Sequence, residues 1–168
     1  MHSYRVTKYD PQYRSDNGTY LKDEWISVSD VGNSYDGKTL DFSEYLRYEN
    51  AYISAVHIAM KANDVFYMKI NELEKATPDD HPDISINHSR KYIDAIKNRS
   101  NVSYSNIDFL TRLILREMLW CKLVCDNMFV HFGYDYYMYI GSRKNLDIES
   151  KLISDLGLFV EEMPSPYL

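Results

Sequence analysis

His131, Tyr134 and Asp135 are the residues of this chain whose types and spacing best suit catalysis. A histidine beside a carboxylate can act as a general base, and a tyrosine can donate to a developing charge. His131 and Asp135 share a parity along a regular strand, yet Gly133 between them bends it, so the sequence leaves their relation open. In the competing reading His131 is a hydrogen-bonded sheet residue. His81 and His88, with Asp79, Asp80 and Asp83, could form a loose metal site. A solvated acidic loop is the plainer reading, because nothing fixes the ligand geometry. Cys121 and Cys125 lie off the C-x-x-C spacing of redox and zinc sites and read as reduced, buried thiols. The six glycines are scattered, without a phosphate-cradling spacing, and neither H-E-x-x-H nor G-x-S-x-G occurs. No cofactor and no metal is expected.

A third set has a different character. Asp23, Glu24 and Trp25, with Asp30 and Asp36 nearby, suit a contact hot spot for a basic protein. The indole supplies burial, and the carboxylates complement Lys or Arg. The alternative places Trp25 in the core and leaves the acids to solvation; Lys8, Arg14 and Lys22 also temper the negative charge. Tyr134, Tyr136, Tyr137 and Tyr139 close the densest apolar and aromatic stretch, Leu119 to Gly141. Tyrosine has a large apolar ring and a polar tip, so a sheet face built from it can be half buried and half ready to bind. Together with Asp135, these tyrosines complete the candidate contact surface. Arg116 and Glu117, close to Trp120, read as a structural ion pair.

Composition sets the bounds. The 168 residues, 45% hydrophobic and 26% charged, suit one globular α+β domain spanning 1–168. The net charge of −6 and pI near 5.3 argue against direct nucleic-acid binding, which needs concentrated Lys and Arg, and favour a basic partner. The first residues lack an apolar leader segment, and no window approaches 18 apolar residues. The expected location is cytoplasmic, with no membrane partner.

The elements that must position these side chains follow from local signals. Tyr4 to Tyr9 alternates as a strand and stops at Asp10-Pro11. Asn17-Gly18 and Asp36-Gly37 mark tight turns, and Glu24 to Val31 alternates as a second strand. Asp41 with Glu44 signals a helix start, stapled by Leu40 and Tyr45. Its apolar stripe through Tyr45, Tyr48, Tyr52, Val56 and Ala59 runs to about Lys61. A short strand, Val65 to Ile70, precedes a capped helical turn at Asn71 and Glu74. Thr77 to Pro82 reads as a loop, and Tyr92, Ile93 and Ile96 line a short helix. Ser105-x-x-Asp108 opens a stronger helix that leads into a meander broken at Asp126-Asn127 and Gly133. A last helix, about Ile148 to Leu156, ends at Gly157, and Leu158 to Val160 returns as a short strand. Helices and antiparallel strands without a βαβ rhythm give an α+β fold, an antiparallel sheet with a C-terminal meander packed against three to five helices.

Read together, YRVTKYDPQYR…GTYLKDEWISVSDVG and LREMLWCKLVCDNMFVHFGYDYYMYIG resemble a family of small bacterial immunity proteins of contact-dependent growth inhibition and related polymorphic toxin systems. The likeness covers Tyr4 to Gly32 and Leu115 to Gly141, with support from DFSEYLRYENAYI; about Lys61 to Ser103 matches nothing in it. The resemblance implies a non-enzymatic neutraliser that binds the C-terminal domain of a cognate toxin, frequently a nuclease, and blocks its active site or substrate groove. Two alternatives stand beside it: a small hydrolase or nuclease using His131 and Asp135, and a scaffold that self-associates through its tyrosine-rich sheet.

Overall fold

The computed structural model describes residues 1–77 and 86–168. In chain order the elements are β1 (His2–Thr7), β2 (Ser34–Tyr35), β3 (Lys38–Thr39), α1 (Phe42–Ala62), β4 (Tyr67–Lys75), α2 (Ile86–Ala95), β5 (Asn101–Ser103), α3 (Ile107–Leu115), β6 (Leu119–Val124), β7 (Met128–Phe132), β8 (Met138–Ser142), α4 (Asp147–Asp155) and β9 (Phe159–Glu162). Seven strands form one sheet in the order β5-β4-β6-β7-β8-β1-β9, with every neighbouring pair antiparallel. This is an α+β fold. The meander is β6-β7-β8, and β1 returns from the other end of the chain to pair with β8 in the register Tyr4 to Ile140.

Period-two alternation divides the sheet into two faces. Tyr4, Val6, Met68, Ile70, Cys121, Leu123, Val130, Met138 and Ile140 are buried in one core with Tyr45, Tyr52, Val56, Ala59 and Met60 of α1. The other face carries a cross-strand row: Glu161 opposite Arg5, Arg5 opposite Tyr139, Tyr139 opposite His131, and His131 opposite Lys122. The C-terminal tail lies over this row. Ser165 Oγ is 2.8 Å from His131 Nδ1, and the Tyr167 ring meets Trp120, His131 and Tyr139 edge-on.

Several local signals act as expected. Asp41 caps α1 by accepting from the Glu44 amide at 2.8 Å, and Leu40 and Tyr45 are both buried. Glu44 turns instead to Arg47, 2.7 Å away. Asp36 and Gly37, at φ 49° and 76°, make the β2–β3 hairpin, whose two central positions require left-handed backbone. Both cysteines are free; Cys121 is buried, Cys125 only partly, and burial pushes the Cys121 thiol up to about 12.

Three expectations are corrected. Glu24 to Val31 is not a strand but a loop with a 3-10 turn at Val28–Asp30. Ser27 and Asp30 form a reciprocal capping box, and Asp30 also accepts from the Ile26 amide at 2.8 Å. These side chains offer the backbone a local alternative to the ladder. No helical turn forms at Asn71 and Glu74. β4 continues to Lys75 through a bulge with Glu72 at φ 53°, because β6 pairs with it along its length. Ser105 and Asp108 do not cap α3: Asn106 stands at the N-cap, Ser105 bonds Ser103, and Asp108 pairs with His57 of α1. The Thr77 to Pro82 loop from 78 onward lies outside the described residues. So does the metal set of Asp79, Asp80, His81 and Asp83, together with the His88 side chain.

Candidate functional site

The turn between β7 and β8, residues 133–137, is where the two ends of the chain meet. Trp25 packs edge-on against Tyr136 with ring centroids 4.9 Å apart, and Tyr9 stacks on Tyr137 at 5.3 Å. The Tyr9 hydroxyl donates to the Asp135 carbonyl at 2.7 Å, and Arg14 donates to the Tyr137 hydroxyl at 2.9 Å. Tyr52 joins the same point from α1: it accepts from the Lys8 amide at 2.8 Å and donates to the Tyr136 carbonyl at 2.6 Å. Behind it the Tyr136 hydroxyl donates to the Tyr45 hydroxyl at 2.9 Å and lies 3.2 Å from the Leu115 carbonyl. Burial pushes the Tyr136, Tyr52 and Tyr9 phenols well above their ordinary range, so they remain neutral donors.

Anchored this way, the turn holds Asp135 and Tyr136 at φ 58° and 62°, left-handed conformations that cost a side-chain-bearing residue about 1–3 kcal/mol each. Burial of the Tyr136 ring offsets that cost, and the residues before it face outward. Tyr134 is 83% exposed, the most exposed tyrosine of the chain's C-terminal half, and Asp135 is exposed beside it.

Beside the turn opens a cleft of about 480 Å³ between the C-terminal end of α3, the end of β4, the start of β6 and residues 133–137. Its walls include Ile114, Leu115, Leu119, Phe132 and Met138. Carboxylates at its margin come from Glu74, Glu117 and Asp135, all exposed, with Lys75 as the cation of the lining. The Lys75 ammonium donates to the Asp94 carbonyl at 3.2 Å. Ile26 and Tyr134 add exposed apolar area.

The sequence-predicted contact residues therefore divide. Tyr134 and Asp135 stand at the cleft. Asp23 and Asp36 are exposed near the β2–β3 hairpin; there desolvation, then Asp30 and Asp23, raise the Tyr35 phenol above its usual range. Glu24 turns inward to Lys8, 3.0 Å away, and accepts from the Tyr20 hydroxyl at 2.7 Å. Lys8 is itself buried, its ammonium 4.1 Å from the Tyr9 ring centre and 4.2 Å from that of Trp25. Burial lowers the Lys8 pKa, with Glu24 opposing. Asp30 is spent on its capping bonds. Trp25 and Tyr136 are core, Tyr137 is half-buried, and Tyr139 is buried under Tyr167 on the outer face.

His131 is on that outer face as well. Its ring stacks on Phe129 at 4.3 Å, its Nδ1 meets Ser165, and burial with nearby Lys122 holds its pKa down at about 4. Asp135 belongs to the cleft, which His131 does not line. The fold thus settles the relation the sequence left open: His131 bonds Ser165 on the outer face and Asp135 stands at the cleft. Sequence reading missed Glu74 and the cleft role of Glu117. It also missed Glu49, a fully buried carboxylate on α1. Arg116 forms its ion pair with Glu49, at 2.6 Å from Nε, and Arg112 joins from the same helix end. The one available signal was a glutamate inside an otherwise apolar helical stripe.

Among the described residues, no group of histidine, cysteine, aspartate and glutamate is arranged to hold a metal ion, and no helix is long and apolar enough to cross a membrane. The geometry defines an α+β protein with an acid-margined apolar cleft beside the β7–β8 turn. Comparison with family models, characterised proteins and solved structures finds no match for the chain.

Proposed function

We propose that this protein is an immunity protein: a binding protein without chemistry of its own that neutralises a cationic toxin domain by covering its active site or substrate groove. The observation that carries this reading is the cleft itself, with Glu74, Glu117 and Asp135 at its margin and Tyr134 held outward beside it. Apolar area ringed by charge is the anatomy of a specific protein contact, and a rigid tyrosine adds contact area at low entropic cost. The net charge of −6 steers a basic partner toward the complex. A nuclease, which must bind a polyanion, fits that partner best. The resemblance of the two terminal segments to immunity proteins points the same way.

The test is co-purification and calorimetric titration with the product of the reading frame immediately upstream, the expected toxin, together with rescue of growth when both are expressed. A complex that abolishes toxicity is expected, weakened at least tenfold by Tyr134→Ala or Asp135→Lys, since central contact residues cost more than about 1 kcal/mol on truncation. No complex and no rescue would overturn the proposal.

A further inference from the structure

We infer that the cleft takes one large apolar side chain from the partner, flanked within its own segment by basic residues; the inference rests on the neutraliser reading above. The cleft, open on one side and about 480 Å³ in volume, has a floor of nearly buried apolar residues, Ile114, Leu115, Leu119, Phe132 and Met138, and its accessible apolar area comes from Ile26 and Tyr134. The negative charge is at the margin, on Glu74, Glu117 and Asp135. A lone guanidinium or ammonium driven inward would lose its hydration against five apolar side chains with no counter-charge among them. A phenyl or branched aliphatic group loses nothing there, and its basic neighbours then meet the carboxylates outside. Lys75, the cation of the lining, is engaged by the Asp94 carbonyl. A second copy of this chain is a poor occupant, because it carries the same net charge of −6.

Trp120 supplies the readout. It lines the cleft, and its indole Nε1 donates to the Phe132 carbonyl at 2.7 Å, so its indole proton resonance reports occupancy of that wall. The resonance is assigned by comparison with Trp120→Phe. The probe is the blocked pentapeptide Gly-Lys-Phe-Lys-Gly, run against Gly-Lys-Ala-Lys-Gly, which lacks the anchor, and Gly-Glu-Phe-Glu-Gly, which reverses the flanks. The expected result is a saturable shift with the first peptide and at least tenfold weaker binding of both others. Asp135→Asn and Glu117→Gln, checked for native circular dichroism, should each weaken the first peptide several-fold. Equal response to all three peptides, or no shift of Trp120 with any, overturns the inference. The toxin domain is titrated in parallel. If it binds and the peptides do not, the neutraliser reading stands and the anchor falls. If the peptides discriminate as expected and the toxin domain does not bind, the cleft chemistry stands and the neutraliser reading falls.

Discussion

Truncating Glu49 to alanine should remove the buried charge that ties α1 to the C-terminal end of α3. Its carboxylate is fully buried and accepts from Tyr45 at 3.1 Å, from Arg116 at 2.6 and 3.0 Å, and from Arg112. Removing it leaves two guanidinium groups facing each other across a site that no longer holds a negative charge. Breaking a buried ion pair from one side costs about 3–5 kcal/mol. The arginine side chains are 33% and 31% exposed and can partly rehydrate, which places the expected loss near the lower end, about 3 kcal/mol. For a chain of this size that corresponds to a fall in Tm of about 6–12 °C. Urea unfolding of Glu49→Ala, Arg116→Ala and the double variant gives the coupling, expected at about 1.5 kcal/mol or more. The Tyr45 hydroxyl also loses its acceptor, so the Tyr45–Tyr136 bond should loosen and raise amide exchange in residues 133–137. A loss below about 1 kcal/mol, or additive single effects, would refute the view that this carboxylate organises the arginines and the turn.

Two further outcomes follow from single side chains. His131 is held neutral with a pKa near 4, below its ordinary 6.5, so the unfolded chain binds the extra proton; stability should fall as pH drops from about 6.5 to 4, by up to about 3 kcal/mol, and rise again with pH. Urea midpoints across that window should show a shallower slope for His131→Gln; an unchanged slope would count against the buried neutral ring. Gly141 lies under the Phe129 ring, where an added Cβ would overlap its carbons. Gly141→Ala should therefore cost about 1–3 kcal/mol, and Phe129→Leu in the same chain should recover much of it, as measured by thermal unfolding.

Much of the fold was legible because its signals are local. Asp41 three residues before Glu44, Asp36-Gly37 between polar flanks, and the breaks at Asp126-Asn127 and Gly133 each act on backbone within a few residues, and the structure has a helix start, a hairpin and a meander there. Where local signals competed, the reading failed. Ser27 and Asp30 sit in an alternating stretch, yet their side chains satisfy the backbone without a partner strand. Asn71 and Glu74 carry a capping pattern, yet the ladder to β6 overrides it.

The sequence alone determined the α+β class, the course of the meander, the cap of α1 and the acidic, tyrosine-rich composition. Only the tertiary structure decided which of those groups face outward. Glu24 and Trp25 are adjacent to Asp23 in the chain, but Lys8 and Tyr136 draw them inward, while Glu74, Glu117 and Asp135 converge on one cleft from three separate elements. Residue type fixes what a side chain can bond, and backbone signals reach only a few residues along the chain. Exposure and convergence depend on how distant elements pack, and that packing is set by the whole core at once.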